Sequence, residues 1–380
     1  MLTRKLAWTP AAGWNFGGAG PHADLVIYFG SREKFRLPGW YEILRERFPG
    51  AQLLGCSSAS QIAGAEIVED GIVGVSLTFK SVRVRTGAVA ITRLGDSHSS
   101  GAELGLQLAD ADLRGVLVLS DGLTVNGSEL TRGIAQEIGA AIPVTGGLAA
   151  DGADFEETLV GLNRRPEKGW IAAVGFYGEA AILSTGSAGG WSAFGPRRRI
   201  SKSDGNILYG LDDKPALDLY ERYLGPEEVD ALPSSALLFP LNVFDPDHPE
   251  HSVVRTVLAV DRESRSMTFA GDVPQGWVAQ LMRGNIDRLT LGAAEAARQL
   301  DPLGGEMPPD SLVLLVSCIG RRLLMGQRTI DEVEAVGEVV GPRATRLGFY
   351  SYGEICPHSV SGLGEMHNQT MTVTAISERL

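Results

Sequence analysis

The chain has 380 residues, of which 44% are hydrophobic and 21% charged, as is ordinary for a soluble globular protein, and this length predicts two domains. Its 34 Lys and Arg residues against 46 Asp and Glu residues give a formal net charge of −12, which argues against nucleic acid as a partner. There is no apolar run of membrane-spanning length, and the apolar stretch that follows Arg4 and Lys5 is too short for a signal peptide, so neither membrane insertion nor a signal peptide is expected.

The first half of the chain predicts a mixed α/β arrangement with an antiparallel tail. Residues 1–23 are rich in Gly, Pro and Ala and are interpreted as an irregular arm. Residues 24–199 begin with a buried strand, a helix and a second buried strand, then continue through hairpins and capped helices into consecutive strands. We expect them to form the first domain.

The second half opens at about residue 200 with a clear hairpin, followed by helices that alternate with apolar strands. Residues 312–319 form a continuous apolar strand, and residues 347–352 and 371–376 form the last two strands. Residues 200–380 are therefore predicted to form the second domain. The fold class is α/β (mixed α+β), with two domains whose mixed, largely antiparallel sheets are covered by helices.

Three turns in the first half share one design, in which a buried strand ends in small polar residues. Neighbouring buried strands open a crevice at their carboxyl ends, and a helix that starts there supplies N–H groups to an anionic ligand. For any one of these turns the ordinary explanation is sufficient, because Ser, Asp and Gly are common in turns that bind nothing. Taken together, the three turns favour a small-molecule pocket, with these candidate contacts: Cys56, Ser57, Ser58, Asp121, Gly146, Gly147 and Asp151.

The second half adds candidates at two places. Arg321 follows a buried strand and predicts either a bidentate clamp for a ligand carboxylate or an ordinary surface salt bridge. The segment from Gly348 to Ser377 is rich in reactive side chains, and Tyr352, Glu354 and Asn368 are its expected ligand contacts. We expect this segment to close one wall of the pocket.

Ser57 also allows a hydrolase hypothesis. A serine between small residues after a strand resembles a nucleophile elbow, and Ser57, Asp121 and His367 occur in hydrolase order. The elbow requires a helix directly after the serine, whereas a glycine-rich stretch and a hairpin follow here. The chain is therefore predicted not to be an enzyme, with a Ser57 hydrolase as the alternative.

The cysteines and histidines do not match a zinc signature. Three widely separated cysteines without a CxxC pair favour a reducing compartment, and hence the cytoplasm. Haem needs only one axial ligand, so haem b bound through His367, His358 or Cys356 is the alternative to having no cofactor. The other four histidines are expected to lie solvated in polar loops.

Several motifs together resemble the FIST sensory proteins, which have FIST N and FIST C domains. The resemblance extends from about residue 25 to the C-terminus, and its motifs, in chain order, are GCSS, LSDG, GGLAADG, GNILYGLDDKPALDLYERYLG, SCIGRR, GFYSYGEICP and HNQTMTV. It implies an intracellular ligand-binding sensor of bacterial signal transduction, with ligands such as amino acids. Some stand-alone members resemble haem-containing nitric-oxide sensors that regulate a histidine kinase in a two-component system.

The leading hypothesis is therefore a cytoplasmic, non-enzymatic sensor that binds a small polar or amino-acid-like ligand between its two halves. The sequence carries no kinase, cyclase or methyl-accepting segment, so the signal is expected to pass to a separate protein such as a histidine kinase or a cyclic-dinucleotide enzyme. A haem-binding nitric-oxide sensor is the alternative.

Overall fold

A computed structural model describes residues 1–249, 251–300, 307–308, 310–358 and 362–379. It confirms a mixed α+β fold with two domains and mixed sheets covered by helices. The polar turn predicted within the segment from Gly348 to Ser377 includes residues 359–361, which lie outside the described residues. Within the described ranges, none of the helices is long and apolar enough to cross a membrane.

The strands and helices follow in chain order. The first strands are β1 (Leu2–Thr9), β2 (Gly13–Asn15), β3 (Leu25–Gly30), β4 (Gln52–Ser57), β5 (Gln61–Ala63), β6 (Glu66–Val68), β7 (Ile72–Thr78), β8 (Arg83–Ala90), β9 (Leu113–Ser120), β10 (Val144–Leu148), β11 (Val160–Leu162), β12 (Trp170–Tyr177) and β13 (Ala181–Ala188). They are followed by β14 (Ser192–Ala193), β15 (Arg198–Asp204), β16 (Ile207–Leu211), β17 (Lys214–Pro215), β18 (Leu241–Phe244), β19 (Ser252–Arg255), β20 (Val257–Asp261), β21 (Ser266–Phe269) and β22 (Val278–Arg283). The last strands are β23 (Leu312–Cys318), β24 (Thr345–Ser351), β25 (Gly353–Pro357), β26 (Gly364–His367) and β27 (Met371–Glu378). The helices are α1 (Arg32–Arg36), α2 (Trp40–Arg47), α3 (Ser97–Leu108), α4 (Gly127–Ile138), α5 (Ala216–Glu221), α6 (Pro226–Asp230), α7 (Ile286–Arg298), α8 (Ile319–Met325) and α9 (Ile330–Val340).

Three units with the same strand order form the body of the protein. In the first unit, β3 runs parallel to β4 and antiparallel to β7, which pairs with β1. In the second unit, β9 runs parallel to β10 and antiparallel to β12, which pairs with β8. In the third unit, β23 runs parallel to β24 and antiparallel to β27, which pairs with β13. The parallel pairs are connected through α1 and α2, through α4, and through α8 and α9, because a parallel pair needs a crossover. The body is thus an internal threefold repeat of one supersecondary unit.

Each unit also contributes a short strand to the sheet of a neighbouring unit. β5 of the first unit pairs with β24 of the third, β11 of the second pairs with β4 of the first, and β25 of the third pairs with β10 of the second. This exchange is cyclic. Strands from the beginning and the end of the chain therefore share sheets, which ties the three units into one body.

The inner faces of the three sheets share one hydrophobic core. Ile27 of β3, Leu117 of β9 and Leu314 of β23 are all fully buried in a single cluster. Burying each of these side chains stabilises the fold by about 1.5–3 kcal/mol. Because the core lies between the sheets, it holds the carboxyl ends of all three parallel pairs in fixed positions.

A second lobe, residues 192–283, extends from the body and is called the inserted lobe. It contains β14 to β22 in one sheet and has its own core, which includes Ile200, Val243 and Phe269. The predicted hairpin near residue 200 is confirmed as β15 and β16. After β22 the chain returns to the body through α7.

The N-terminal arm is only partly irregular, which corrects the expectation from the sequence, since it contains β1 and β2. Residues 2–9 form β1, which pairs with β7 from Leu2 opposite Thr78 to Trp8 opposite Ile72. Leu6 and Trp8 are buried in the cluster that covers α2. The Gly- and Pro-rich residues 10–23, which follow β1, made the whole arm look irregular in the sequence. The pairing of β1 with β7 was also not visible there, because the partner residues are some 70 positions away.

Candidate functional site

A cavity of about 270 Å³ lies where the inserted lobe meets the body. Its walls come from α4, β19, the segment between β21 and β22, and β26. The lining residues are Ser128, Thr131, Arg132, Val253, Arg255, Asp272, Pro274, Trp277, Leu363, Gly364 and Glu365. This size suits a small metabolite, because pockets for drug-sized ligands begin at about 300 Å³. We call it the interlobe cavity.

Arg255 is the central polar group of the interlobe cavity and is 2% exposed. Its Nε donates to the Asp272 carbonyl at 2.8 Å, and its Nη1 donates to the Met366 carbonyl in the body at 2.8 Å. Nη2 has only long contacts, at 3.5 Å to Ser128 Oγ and 3.8 Å to Glu365 Oε1. Burial lowers the pKa of this guanidinium. An anion that accepted hydrogen bonds from Nη2 would stabilise the buried charge.

The remaining charges around the cavity balance. Arg132 forms an ion pair with Asp272, and Asp272 also accepts a hydrogen bond from Asn126 Nδ2 at 2.7 Å. Glu365 is half-buried, and its carboxylate lies 3.8 Å from Arg255 Nη2, a long ion pair. Two guanidinium groups and two carboxylates therefore line the same space, which suits a ligand that carries both signs of charge.

Packing at the start of α4 explains why the body and the lobe meet here. Asn126 caps the helix by accepting from the Ser128 and Glu129 N–H groups, and the Gly127 N–H donates to the Ala270 carbonyl of the lobe. The Asp272 N–H donates to Ser128 Oγ. The first turn of the helix is thus hydrogen-bonded to the lobe beside the cavity.

The predicted cluster after β4 lies in the interior of the body. Cys56 and Ser57 are fully buried, and Ser58 is 1% exposed. Ser57 Oγ accepts from the Leu159 N–H at 2.9 Å, and Ser58 Oγ accepts from the Ser60 and Tyr350 N–H groups. Burial raises the pKa of the Cys56 thiol. These side chains join the loops of neighbouring units.

The two predicted aspartates also satisfy backbone groups. Asp121 accepts from the N–H groups of Leu123, Thr124 and Gly169. It borders a different cavity, of about 550 Å³. Asp151 pairs with Arg32 at 2.8 Å and accepts from the Tyr352 hydroxyl, which places two predicted residues in one network. Burial and Asp151 together raise the pKa of Tyr352.

Gly146 and Gly147 allow close packing within the sheet. Gly146 has φ +132°, and a Cβ there would lie 1.9 Å from the Val118 carbonyl oxygen. A Cβ on Gly147 would lie 2.7 Å from the Gly353 carbonyl oxygen. Both glycines therefore have a structural reason to lack a side chain.

We predict that Gly146→Ala lowers the free energy of unfolding by about 2–3 kcal/mol, because it adds a clash to an unfavourable φ. Gly152→Ala is the matched control, since Gly152 has φ +87° but open space around its Cβ position. The control should cost only about 1–2 kcal/mol. Urea denaturation measures both values, and equal losses would contradict the packing argument.

Arg321 corrects the sequence interpretation, because it forms neither a ligand clamp nor a surface salt bridge. Its side chain is fully buried, and its Nη2 and Nε lie 2.8 and 3.0 Å from Glu332 Oε2. Nη2 also donates to the Leu289 carbonyl at 2.8 Å. Its bidentate partner is thus a carboxylate of the chain itself, which joins α8 to α9 and α7.

Glu354 lies in β25 and Asn368 in the turn between β26 and β27, and both are fully buried. Glu354 accepts from Ser351 Oγ at 2.7 Å and from Thr370 Oγ1 at 2.9 Å, yet burial raises the pKa of its carboxyl to about 8. Asn368 Nδ2 donates to the Tyr352 carbonyl, and its Oδ1 accepts from the Thr256 N–H of the inserted lobe. Asn368 therefore connects the lobe to the body beside Arg255.

The raised pKa of Glu354 predicts that stability falls as the pH rises. Below pH 4.5, the ordinary value, the carboxyl is protonated in both states; between pH 4.5 and about 8 only the unfolded chain loses its proton. The free energy of unfolding should then fall by up to about 1.4 kcal/mol per pH unit. Urea denaturation at several pH values from 5 to 8 measures the free energy of unfolding. This free energy should fall less with pH in Glu354→Gln than in the wild type, and an equal fall in both would contradict the prediction.

The three predicted haem ligands lie together at β25 and β26. Cys356 is fully buried, and burial raises the pKa of its thiol to about 12. His367 Nε2 lies 3.0 Å from the Cys356 carbonyl oxygen, and burial lowers the pKa of this imidazole to about 4. The His358 ring stacks on that of His367 with centroids 6.0 Å apart.

Arg255, Arg132 and Glu365 were not among the residues predicted from the sequence. Arg255 ends a short strand directly after two valines, and Arg132 lies on an amphipathic helix. Both patterns are also typical of surface arginines. The contact of Arg255 with Met366 joins positions 111 residues apart, so only the fold could reveal it.

Comparison with known proteins gives two family matches. A model described as the FIST N domain matches residues 24–214, and one described as the FIST C domain matches residues 216–357. No curated protein matches the chain. Solved structures with low similarity include a cyanuric acid hydrolase from A. caulinodans, at 10% identity and a TM-score of 0.39, covering 100% of this chain and 99% of that one. They also include a chorismatase, at 10% identity and a TM-score of 0.34, covering 99% of this chain and 98% of that one. Values this low support no conclusion about activity.

Proposed function

The chain belongs to the FIST family of sensory domains, and on that premise we propose that it senses a small zwitterionic or anionic metabolite in the interlobe cavity. The observation that carries the proposal is the buried guanidinium of Arg255, whose Nη2 has only long contacts. A ligand carboxylate would pair with Arg255, and a ligand ammonium group would pair with Glu365. Trp277, Pro274 and Val253 supply an apolar wall.

The position of the cavity supports a sensory role. Arg255 already connects the Asp272 carbonyl of the inserted lobe to the Met366 carbonyl of the body. A ligand that draws the guanidinium towards itself changes the contacts that hold the lobe in place. Since a ligand shifts a conformational equilibrium only by binding two states differently, an interlobe site is suited to signalling.

Thermal-shift measurements test this proposal. The panel contains amino acids, and for each one the amine that lacks the carboxylate and the acid that lacks the amino group. At least one amino acid should raise the melting temperature, because a ligand that binds the folded state stabilises it, and the matching amine should not. The proposal is wrong if no compound with a carboxylate shifts the melting temperature.

The proposal includes a cytoplasmic location and a non-enzymatic role. The three cysteines of the chain are free and buried, as expected in a reducing compartment. Ser57 Oγ accepts from the Leu159 N–H, and within the described residues its hydrogen bonds include neither Asp121 nor His367. This arrangement supplies no general base to the serine.

A histidine kinase or a cyclic-dinucleotide enzyme is the proposed signalling partner, and co-purification with each enzyme tests it.

Haem binding has less support than metabolite binding. The interlobe cavity has one apolar wall, but its other lining residues include four charged side chains, whereas a porphyrin requires an apolar surface on both faces. Cys356 is fully buried, and His367 Nε2 is hydrogen-bonded to the Cys356 carbonyl oxygen. The residues therefore fit a haem poorly. A visible spectrum after haem addition tests the alternative, which a Soret shift abolished by His358→Ala would support.

A further inference from the structure

Two hydroxyl groups of α4 line the interlobe cavity, and they differ in what they can offer a ligand. Thr131 Oγ1 donates to the carbonyls of Gly127 and Ser128, at 3.1 and 3.0 Å, so its hydrogen is used within the helix. Ser128 Oγ instead accepts from the Asp272 N–H at 3.2 Å and lies 3.5 Å from Arg255 Nη2. Within the described ranges, no group accepts a hydrogen bond from the Ser128 hydroxyl.

The direction of the Ser128 hydroxyl hydrogen follows from the groups around the oxygen. A hydroxyl oxygen has two lone pairs and one hydrogen. The Asp272 N–H and Arg255 Nη2 both approach Ser128 Oγ as donors, so they lie on the side of its lone pairs. The hydrogen therefore points away from both. Because Ser128 lines the cavity, a ligand bound there can accept it.

The backbone of Asp272 holds the side chains of Ser128 and Arg255 next to each other. Its N–H donates to Ser128 Oγ at 3.2 Å, and its carbonyl accepts from Arg255 Nε at 2.8 Å. Gly271 packs against the same two side chains, since a Cβ there would lie 2.8 Å from Ser128 Oγ and 3.2 Å from Arg255 Cζ. Both side chains are buried. Two donors are thus held in place before a ligand binds, which lowers the entropic cost of binding.

We propose that Ser128 and Arg255 form a two-point clamp for the carboxylate of the cavity ligand. Each of the two carboxylate oxygens accepts one hydrogen bond, one from Arg255 Nη2 and the other from the Ser128 hydroxyl. The two donors lie 3.5 Å apart, which is close enough for a single carboxylate to reach both. The inference rests on the proposed function and narrows its ligand class to compounds with a free carboxylate.

The clamp takes one donor from each lobe. Ser128 belongs to α4 of the body, and Arg255 belongs to β19 of the inserted lobe. A carboxylate can therefore bind both donors only while the lobe is docked on the body. The ligand stabilises this docked arrangement, which links recognition of the carboxylate to the position of the lobe.

Calorimetry tests the clamp with the twenty standard amino acids and, for each one, the acid that lacks the amino group. For every compound that the wild type binds, Ser128→Ala should weaken binding about tenfold or more, because a hydrogen bond to a charged group is lost. Thr131→Val is the matched control, since it removes the neighbouring hydroxyl from the same cavity. Its affinity should change less than about threefold, because that hydrogen is already bonded within the helix.

The amide of each bound compound separates a ligand contact from a structural role of Ser128. An amide is uncharged and has one carbonyl oxygen, so it cannot accept from both donors in the same way. Ser128→Ala should therefore weaken binding of the carboxylate more than binding of the amide. Equal weakening of both, or wild-type affinity of Ser128→Ala for the carboxylate, overturns the clamp alone. If the wild type binds none of the carboxylates, the proposed function is overturned together with the clamp.

Discussion

Arg321→Met should lower the free energy of unfolding by about 3–5 kcal/mol, because it leaves the Glu332 carboxylate buried without its cation. Both side chains are fully buried, and Glu332 also accepts from Ser317 Oγ at 2.8 Å and the Tyr350 hydroxyl at 3.0 Å. Two hydroxyl donors do not compensate for the lost guanidinium. Urea denaturation at pH 7 measures the loss.

Two further variants make this prediction specific. The double variant Arg321→Met, Glu332→Met removes both charges and should be more stable than Arg321→Met alone. Arg328→Met removes an exposed arginine that pairs with Asp331, and should cost less than about 1 kcal/mol. The argument fails if Arg321→Met costs no more than this surface variant.

Arg255→Met should weaken binding of the cavity ligand at least thirtyfold, since truncating one partner of a buried charge pair costs about 2–5 kcal/mol. Arg255→Lys keeps the charge but loses the planar fork, so it should bind with intermediate affinity. Calorimetry with the amino acid identified by thermal shift measures each affinity. Arg262→Met, at an exposed arginine of the same lobe, is the control and should bind normally.

The result is informative even though Arg255 also contributes to the lobe contact. Melting temperatures of the unliganded variants separate loss of fold from loss of binding. Wild-type affinity in a folded Arg255→Met protein would exclude Arg255 as the ligand anchor.

Local elements were predictable from the sequence because their signals are local. The apolar run of β23 and the turn residues between β15 and β16 predict a buried strand and a hairpin, and the structure has both. The FIST resemblance is likewise carried by motifs along the chain, and the family matches confirm it. Neither required knowledge of which strands pair.

The long-range arrangement was not predictable in the same way. The cyclic exchange pairs β5 with β24 and β25 with β10, across more than 200 residues in each case. Pairing partners at this separation leave no periodic signal in either strand. For the same reason β1 was predicted to be irregular, and only the structure shows that it pairs with β7.

The predicted contact residues illustrate why site residues are harder to predict than elements. Ser57 and Asp121 are polar residues at strand ends, where a ligand contact and a backbone hydrogen bond require the same side chains. The structure shows the backbone bonds for both. Arg255 looks like an ordinary strand arginine in sequence, and only the packing of the lobe on the body makes it a buried charge beside a cavity.

The location of the ligand is the central claim, and hydrogen–deuterium exchange with and without the ligand tests it most directly. Binding in the interlobe cavity should slow exchange of amides in the first turns of α4, in β19 and in β26, while the segment from Thr158 to Trp170 stays unchanged. Protection around Asp121 and Trp170, which line the separate cavity of about 550 Å³, without protection at β19 would contradict the account.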